Sequence, residues 1–255
     1  MEMICKLQDT RIPHALKPVI PKIGKVALIT GASSGLGREL AILFSKLGHV
    51  ILSGRDKDRL DTTKNLCADP ANTTIVCGDL RSFEIETRLA YFADLYGLQY
   101  LICCAGEYLE GPFEEASTLN MSSVINSNLT ATISLIRAIY PLLAGNLNGN
   151  IVHINSVAGK NTGPNELAYM ASKHGMAAFL KGLRYEAFKK NVRVLDVYPG
   201  AIKTPLTEGR DNYDSLMNVQ EVASAVFANV TAEYGTLQIE ELHLGRTLCS
   251  ENRRC

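Results

Sequence analysis

The sequence predicts an α/β fold, a doubly wound parallel sheet in a single domain. Three observations carry that prediction. Short β-rich apolar runs alternate with longer helical patterns along most of the chain. The first run passes directly into a turn of small residues with glycines at Gly31, Gly35 and Gly37. No linker or break in composition interrupts the alternation. Alternation this regular implies right-handed crossovers between parallel strands. At 255 residues, such a chain can bury roughly 70–75% of its unfolded surface, so its core needs no staples.

Residues 1–24, with Pro13, Pro18 and Pro21, read as an irregular extension ahead of a domain over 25–246, and 247–255 as a tail. KVALIT (25–30) is nearly all apolar, as a strand buried on both faces should be. Leu36, Leu40, Leu43, Phe44 and Leu47 then share one helical face, which Gly48 is expected to close. HVILS (49–53) makes the second strand and Asp56 to about Ala68 a polar helix. TTIVC (73–77) is the third strand, followed by a helix over Ser82–Tyr96 capped by Ser82. QYLICC (99–104) is the fourth strand. A long helix should run from about Ser117 until Pro141 and the Gly145–Gly149 stretch end it. NIVHIN (150–155), a helix over about 166–189, VRVLDV (192–197), a helix near 219–232 and a strand near 237–244 complete the order.

Composition removes several classes of function. Twenty-six basic residues balance twenty-six acidic ones without a long run of either sign, so the footprint of a nucleic-acid or anionic-membrane binder is missing. Seven cysteines, none in a C-x-x-C pair, offer no scaffold for a metal or for dithiol chemistry and suit a reducing, cytoplasmic setting. The N-terminus holds no apolar run of signal-peptide length. Residues 116–136 carry no charge over a bilayer-spanning length, yet Ser117, Asn120, Ser122, Asn126 and Asn128 make a helix buried in protein the better reading than a transmembrane one.

Ligands of doubly wound sheets bind beyond the carboxyl ends of the strands. The glycine turn after Thr30 lies at such an end and suits a phosphate, since glycine admits close backbone approach and a helix N-terminus favours an anion. Its spacing departs from G-x-G-x-x-G. Gly31-Ala32-Ser33-Ser34-Gly35 also spells a G-x-S-x-G nucleophile elbow, which would need an acid and a histidine at later strand ends. His153 falls within a strand, His174 within a helix and His243 between two leucines, so the phosphate reading is preferred to the hydrolase or to a merely structural loop.

Tyr169 and Lys173 stand four residues apart on one side of a helix. A cation there favours phenolate and lowers a tyrosine pKa toward working pH, as a general acid/base requires. Tyr185 and Lys189 repeat the pattern. Ser156, thirteen positions before Tyr169, follows a strand, and the intervening loop can turn the chain back. Ser172, thirteen before Tyr185, shares that tyrosine's helix and lies roughly 20 Å from it. Only the first set can converge.

In order, these motifs make the chain similar to the short-chain dehydrogenase/reductase superfamily, in its main single-domain branch with a Rossmann-type sheet. The resemblance spans Lys25 to about Arg246 and rests on Thr30 to Gly37, Asp79, Ala105-Gly106, Asn128, Ser156, Tyr169 with Lys173, and Pro199-Gly200 with Thr204. It implies a nicotinamide cofactor held by Gly31, Ser33, Ser34, Gly35, Leu36 and Gly37 around the pyrophosphate. Asp79 and Leu80 would meet the adenine, and Ala105 and Gly106 would pass beneath the ribose. Pro199, Gly200, Ile202 and Thr204 would bind the carboxamide. It implies Tyr169 as proton donor or acceptor, Ser156 as hydrogen-bond partner of the substrate oxygen, and Lys173 on the nicotinamide ribose. Asn128, preferred to Asn126, would anchor a water that links Lys173 to solvent. One departure is Cys104 where the family has the asparagine that ties neighbouring strands, a change expected to cost local rigidity.

The second strand ends in Ser53-Gly54-Arg55 without the carboxylate that accepts from a ribose 2′-OH. Arg55 can pair with a 2′-phosphate, assisted by Arg38, and NADP(H) is expected over NAD(H). The alternative is an Arg55 paired with Asp56 or Asp58 as a solvated surface group. The expected activity interconverts a secondary alcohol and a ketone. The rival is a catalytically silent NADP-binding scaffold. The short polar segment TEGRDNYDS (207–215) hints at a small or open substrate site, with Arg210 either meeting a substrate acid or simply solvated. A homodimer or homotetramer through the helices near 117–143 and 166–189 is expected from the resemblance.

Overall fold

The computed structural model describes residues 24–146, 148–232 and 237–246. The expected N-terminal extension, apart from Gly24, and the 247–255 tail lie outside them. Seven parallel strands form one sheet in the order β3-β2-β1-β4-β5-β6-β7. They are β1 Lys25–Thr30, β2 Gly48–Gly54, β3 Thr73–Cys77, β4 Tyr100–Cys103, β5 Gly149–Ile154, β6 Val192–Pro199 and β7 Glu241–Leu244. The connecting helices are α1 Gly35–Phe44, α2 Lys57–Leu66, α3 Phe83–Tyr96, α4 Thr118–Ile125, α5 Ala131–Ala144, α6 Leu167–Phe188 and α7 Val219–Thr231. The order reverses between β1 and β4, so the crevice of the sheet opens there.

Side chains alternate along each strand, and the two faces fill different layers. Val152, Ile154, Leu195 and Val197 pack with Leu40 and Phe44 of α1, Leu60 of α2 and Val226 of α7. Ile151 and Val194 pack with Leu89 of α3, Leu135 and Ile139 of α5 and Met176 and Leu180 of α6. Each fully buried aliphatic side chain in these layers contributes about 1.5–3 kcal/mol. His153, Asn155 and Asp196 share the second face by the same alternation, polar groups set beneath α6.

Several boundaries depart from expectation. Gly48 does not close α1 but begins β2. The helix ends at Phe44 because the next turn tightens, with Lys46 N–H donating to the Leu43 carbonyl (3.2 Å) and Leu47 N–H to Phe44 (2.9 Å). Ser82 sits at the N-cap of α3 without a side-chain cap hydrogen bond. Pro141 does not end α5. Proline removes its own N–H and crowds the carbonyl four residues back, yet the last turn continues to Ala144, with Leu143 fully buried. The long helix expected from Ser117 is divided by a π turn over Asn126–Thr130. β7 is shorter than expected, Glu241–Leu244. No described helix is long and apolar enough to cross a membrane.

Candidate active site

One cavity of about 680 Å³ lies over the carboxyl ends of the strands. Its first wall is the turn between β1 and α1. Gly31 has φ +68°, and a Cβ there would stand 2.9 Å from the Ala105 backbone, so only glycine lets the turn lie against β4's end. A Cβ on Gly37 would meet the Gly31 carbonyl oxygen at 2.3 Å. Ala32 N–H donates to the Ser53 carbonyl (3.0 Å), fastening the turn to β2. Ser34, the N-cap of α1, makes no side-chain cap bond, and the first turn carries no acid. Gly31, Ser33, Ser34, Gly35, Leu36 and Gly37 all line the cavity. An uncapped helix N-terminus lining a cavity fits a diphosphate. Arg38 is not among the lining residues. Its guanidinium donates to the Ser33 carbonyl (2.6 Å) and the Thr63 hydroxyl (3.1 Å) and so buttresses the turn.

Beyond the turn, Asp79, Leu80, Ala105 and Gly106 line the next stretch. Arg81 grips the Asp79 carboxylate through Nη2 (2.6 Å) and Nε (3.0 Å), and this hydrogen bonding holds the acid below its ordinary range. Arg55 pairs with neither Asp56 nor Asp58. Its Nη1 lies 2.7 Å from Glu107 Oε1. Thr30 Oγ1 accepts from both Cys104 N–H and Ala105 N–H at 3.1 Å, so a β1 hydroxyl ties the two strands where the family's asparagine is missing. Burial pushes the Cys103 and Cys104 thiols up to about 12, leaving them protonated near neutral pH.

At the other end, Ser156, Tyr169 and Lys173 line the cavity together with Pro199, Gly200, Ile202 and Thr204. Tyr169 packs with Ala158, Met170, Val124 and Tyr108, which brings the loop after β5 against the start of α6. Lys173 Nζ donates to the Ile154 carbonyl (3.0 Å) and stands 5.6 Å from the centre of the Tyr169 ring. Tyr185, in the repeated pattern, is 73% exposed and has no part in the site. The π turn points Asn128 inward, 1% exposed, whereas Asn126 is exposed. Asn128 accepts from Glu107 N–H (2.7 Å) and donates to the Glu107 carbonyl (2.9 Å) and to Ser172 Oγ (3.1 Å). Thr204 opens a short turn in which Thr207 Oγ1 donates to the Ile202 carbonyl (2.6 Å). Among the described residues no histidine lines the cavity, so a nucleophile elbow at Ser33 has no base.

Sequence reasoning missed two groups. Arg210 is not simply solvated: its Nη2 donates to the Tyr108 hydroxyl (2.5 Å) and lies 3.5 Å from Glu166 Oε1. Tyr108 donates to Glu166 (2.5 Å) and sets its ring edge-on to Tyr169, 5.0 Å between centres. Burial and the adjoining Glu166 carboxylate push the Tyr108 phenol upward. Arg210 stands out in its polar segment, but no local pattern marks Tyr108 or Glu166, and the three come from separate loops. The second group lies beneath Ser156. Asp196 Oδ1 accepts from His153 Nδ1 and Oδ2 from Asn155 Nδ2, both at 2.9 Å, while Asn155 Oδ1 accepts from Ser156 N–H (3.0 Å). Burial pulls His153 below its ordinary value. At Asp196 burial pushes upward, but hydrogen bonds from His153, Tyr198 and Asn155 outweigh it and hold the acid low. The pair is a neutral imidazole donating to a carboxylate. A polar residue inside each of two apolar strands was its visible signal.

The family model for short chain dehydrogenases matches residues 25–214. The chain is 35% identical over 191 residues to a 3-oxoacyl-[acyl-carrier-protein] reductase, FabG, of Rickettsia felis, covering 74% of this chain and 78% of that protein. It is 29% identical over 210 residues to an uncharacterized oxidoreductase of Staphylococcus epidermidis, covering 81% and 91%. A short chain dehydrogenase from Burkholderia cenocepacia, solved in complex with NADP, superimposes with TM-score 0.75 at 26% identity over 89% of this chain and 90% of that one. With its glycine turn, its switch point and its tyrosine–lysine pair set on one cavity, the chain belongs to the short-chain dehydrogenase/reductase superfamily of oxidoreductases.

Proposed function

We propose that the protein is an NADP(H)-dependent carbonyl reductase and alcohol dehydrogenase, interconverting a ketone and a secondary alcohol. The observation that carries this reading is the meeting of Ser156, Tyr169 and Lys173 in the same cavity as an uncapped, glycine-lined helix N-terminus. The turn from Gly31 to Gly37 holds the diphosphate, and Pro199, Gly200, Ile202 and Thr204 orient the nicotinamide. When bound, the nicotinamide donates or accepts the hydride at the substrate carbon. Tyr169 gives its phenolic proton to the carbonyl oxygen in reduction and takes it back in oxidation. Ser156 donates a hydrogen bond to the same oxygen, favouring the charge that develops there. Lys173, fixed by the Ile154 carbonyl, places its amino group 5.6 Å from the centre of the Tyr169 ring, beside the nicotinamide ribose it would hold. Asn128 holds the Glu107 backbone and the Ser172 hydroxyl in place around them.

Arg55 at the end of β2, with no acid at 53–55, supports NADP(H) over NAD(H). The NADP complex of the Burkholderia relative supports it as well, and the Rickettsia 3-oxoacyl reductase supports a carbonyl substrate. The protein works as a homodimer or homotetramer in a reducing, cytoplasmic compartment. Tyr185 and Phe188, 73% and 82% exposed on α6, and the free thiols of Cys67, Cys77, Cys103 and Cys104 support that reading. The test is NADPH oxidation across a panel of ketones. Turnover should fall by about 10²-fold or more in Tyr169→Phe, with NADPH binding retained. Tight NADPH binding without turnover in the wild type would favour a silent scaffold.

A further inference from the structure

Arg55 and Glu107 stand on opposite lips of the cavity, after β2 and after β4, with β1 between them. Their ion pair, 2.7 Å long, reaches across the groove. The two partners are not equally held. Glu107 has its backbone N–H and carbonyl clasped by Asn128, and its second oxygen accepts from Ser123 Oγ (2.9 Å), itself approached by Arg81 Nη1 (2.9 Å). Its side chain is 21% exposed. Arg55 has a 63% exposed side chain, and Glu107 is the acid its guanidinium meets. Glu107 is a fixed negative charge, and Arg55 a long cation able to change partner.

From this asymmetry we infer that Glu107 is a specificity-determining residue of the cofactor site, a built-in competitor for Arg55 that tempers the preference for a 2′-phosphorylated dinucleotide. The inference rests on the NADP(H) reading given above. A ribose 2′-phosphate draws Arg55 as a bidentate partner and must take it from Glu107, whose own charge then lies near an anion of the same sign. An unphosphorylated ribose requires no such exchange. Glu107 therefore weakens binding of NADP(H) selectively and leaves NAD(H) nearly untouched.

The test titrates the full-length protein with NADPH and with NADH, following cofactor fluorescence, for wild type, Glu107→Gln, Arg55→Gln and the double variant. Thermal melts establish that each variant is folded. Loss of a partly exposed ion pair is worth up to about a fivefold change in affinity. Glu107→Gln should therefore tighten NADPH binding by about two- to fivefold, with NADH shifted less. The gain should shrink when Arg55 is already glutamine. Weaker or unchanged NADPH binding in Glu107→Gln, an equal shift for both cofactors, or a gain of the same size without Arg55 would each overturn the inference. Wild type that binds NADH but not NADPH would instead overturn the cofactor reading beneath it, a result visible before any variant is made.

Discussion

The two ends of the cavity are built on opposite plans. The end at the glycine turn is a backbone surface: the stretch from Gly31 to Gly37, of which all but the buried Ala32 line the cavity, fastened by Ala32 N–H to β2 and shaped by glycines whose missing Cβ atoms let three segments touch. The end at Tyr169 is a side-chain surface. Tyr108, Glu166 and Arg210 meet there from positions 58, 44 and 102 residues apart in the chain. A backbone cradle can accept the same diphosphate in many relatives whatever their side chains. A latch of three side chains changes with any one of them, which is where relatives of one fold can diverge in substrate.

Breaking the glycine-turn end should have the largest effect on NADPH binding. Gly31→Ala puts a Cβ 2.9 Å from the Ala105 backbone at φ +68°, and left-handed backbone alone costs a non-glycine residue about 1–2 kcal/mol. NADPH affinity should drop about tenfold or more, read by fluorescence titration, and the melting temperature should fall. An unchanged affinity would mean that the turn does not carry the diphosphate.

Acid should next weaken the ground beneath Ser156. His153 is held below its ordinary value by burial. The unfolded chain therefore takes up a proton at a higher pH than the folded one, and stability falls as pH drops below the unfolded histidine value toward the lower folded one. His49, also lowered by burial, acts in the same direction. Asp196, held low, adds its own loss at more acid pH still. Melting temperature should therefore decline from pH 7.5 to 5, and His153→Gln, which keeps an N–H for Asp196 without a titrating ring, should flatten part of that decline. A slope identical in wild type and variant would contradict the neutral, buried imidazole.

The smallest effect sharpens the contrast. Tyr108→Phe removes the hydroxyl that joins Glu166 and Arg210 and leaves the glycine turn untouched. The KM for ketones should change while NADPH affinity stays within about twofold, since distant sites without shared partners act almost independently. An equal loss of both would show that the two ends are coupled.

What could be read in advance follows the same division. The succession of strands along the chain came from periodic apolar runs, and β3 begins and ends where its pattern does, Thr73–Cys77. Tyr169 and Lys173 were legible because four residues on a helix share a side, and the exposed Tyr185 was separable by geometry. Gly48 and Pro141 misled because a helix end depends on which carbonyls the following turn satisfies, and a buried Leu143 holds the last turn past its proline. The π turn over Asn126–Thr130 leaves no mark in apolar spacing, yet it is what turns Asn128 inward. Glu107, Tyr108 and Glu166 are loop residues that no local pattern announces; Arg210 stood out in its polar segment, but its partners are set by the sheet order.

The most direct measurement compares wild type with Tyr169→Phe in two assays run side by side, NADPH fluorescence titration and single-turnover reduction of any ketone the wild type accepts. NADPH affinity should be equal in both proteins, and the rate should be reduced by about 10²-fold or more in the variant. A variant that reduces ketones at the wild-type rate, or a wild type in which neither nicotinamide cofactor binds, would contradict this reading.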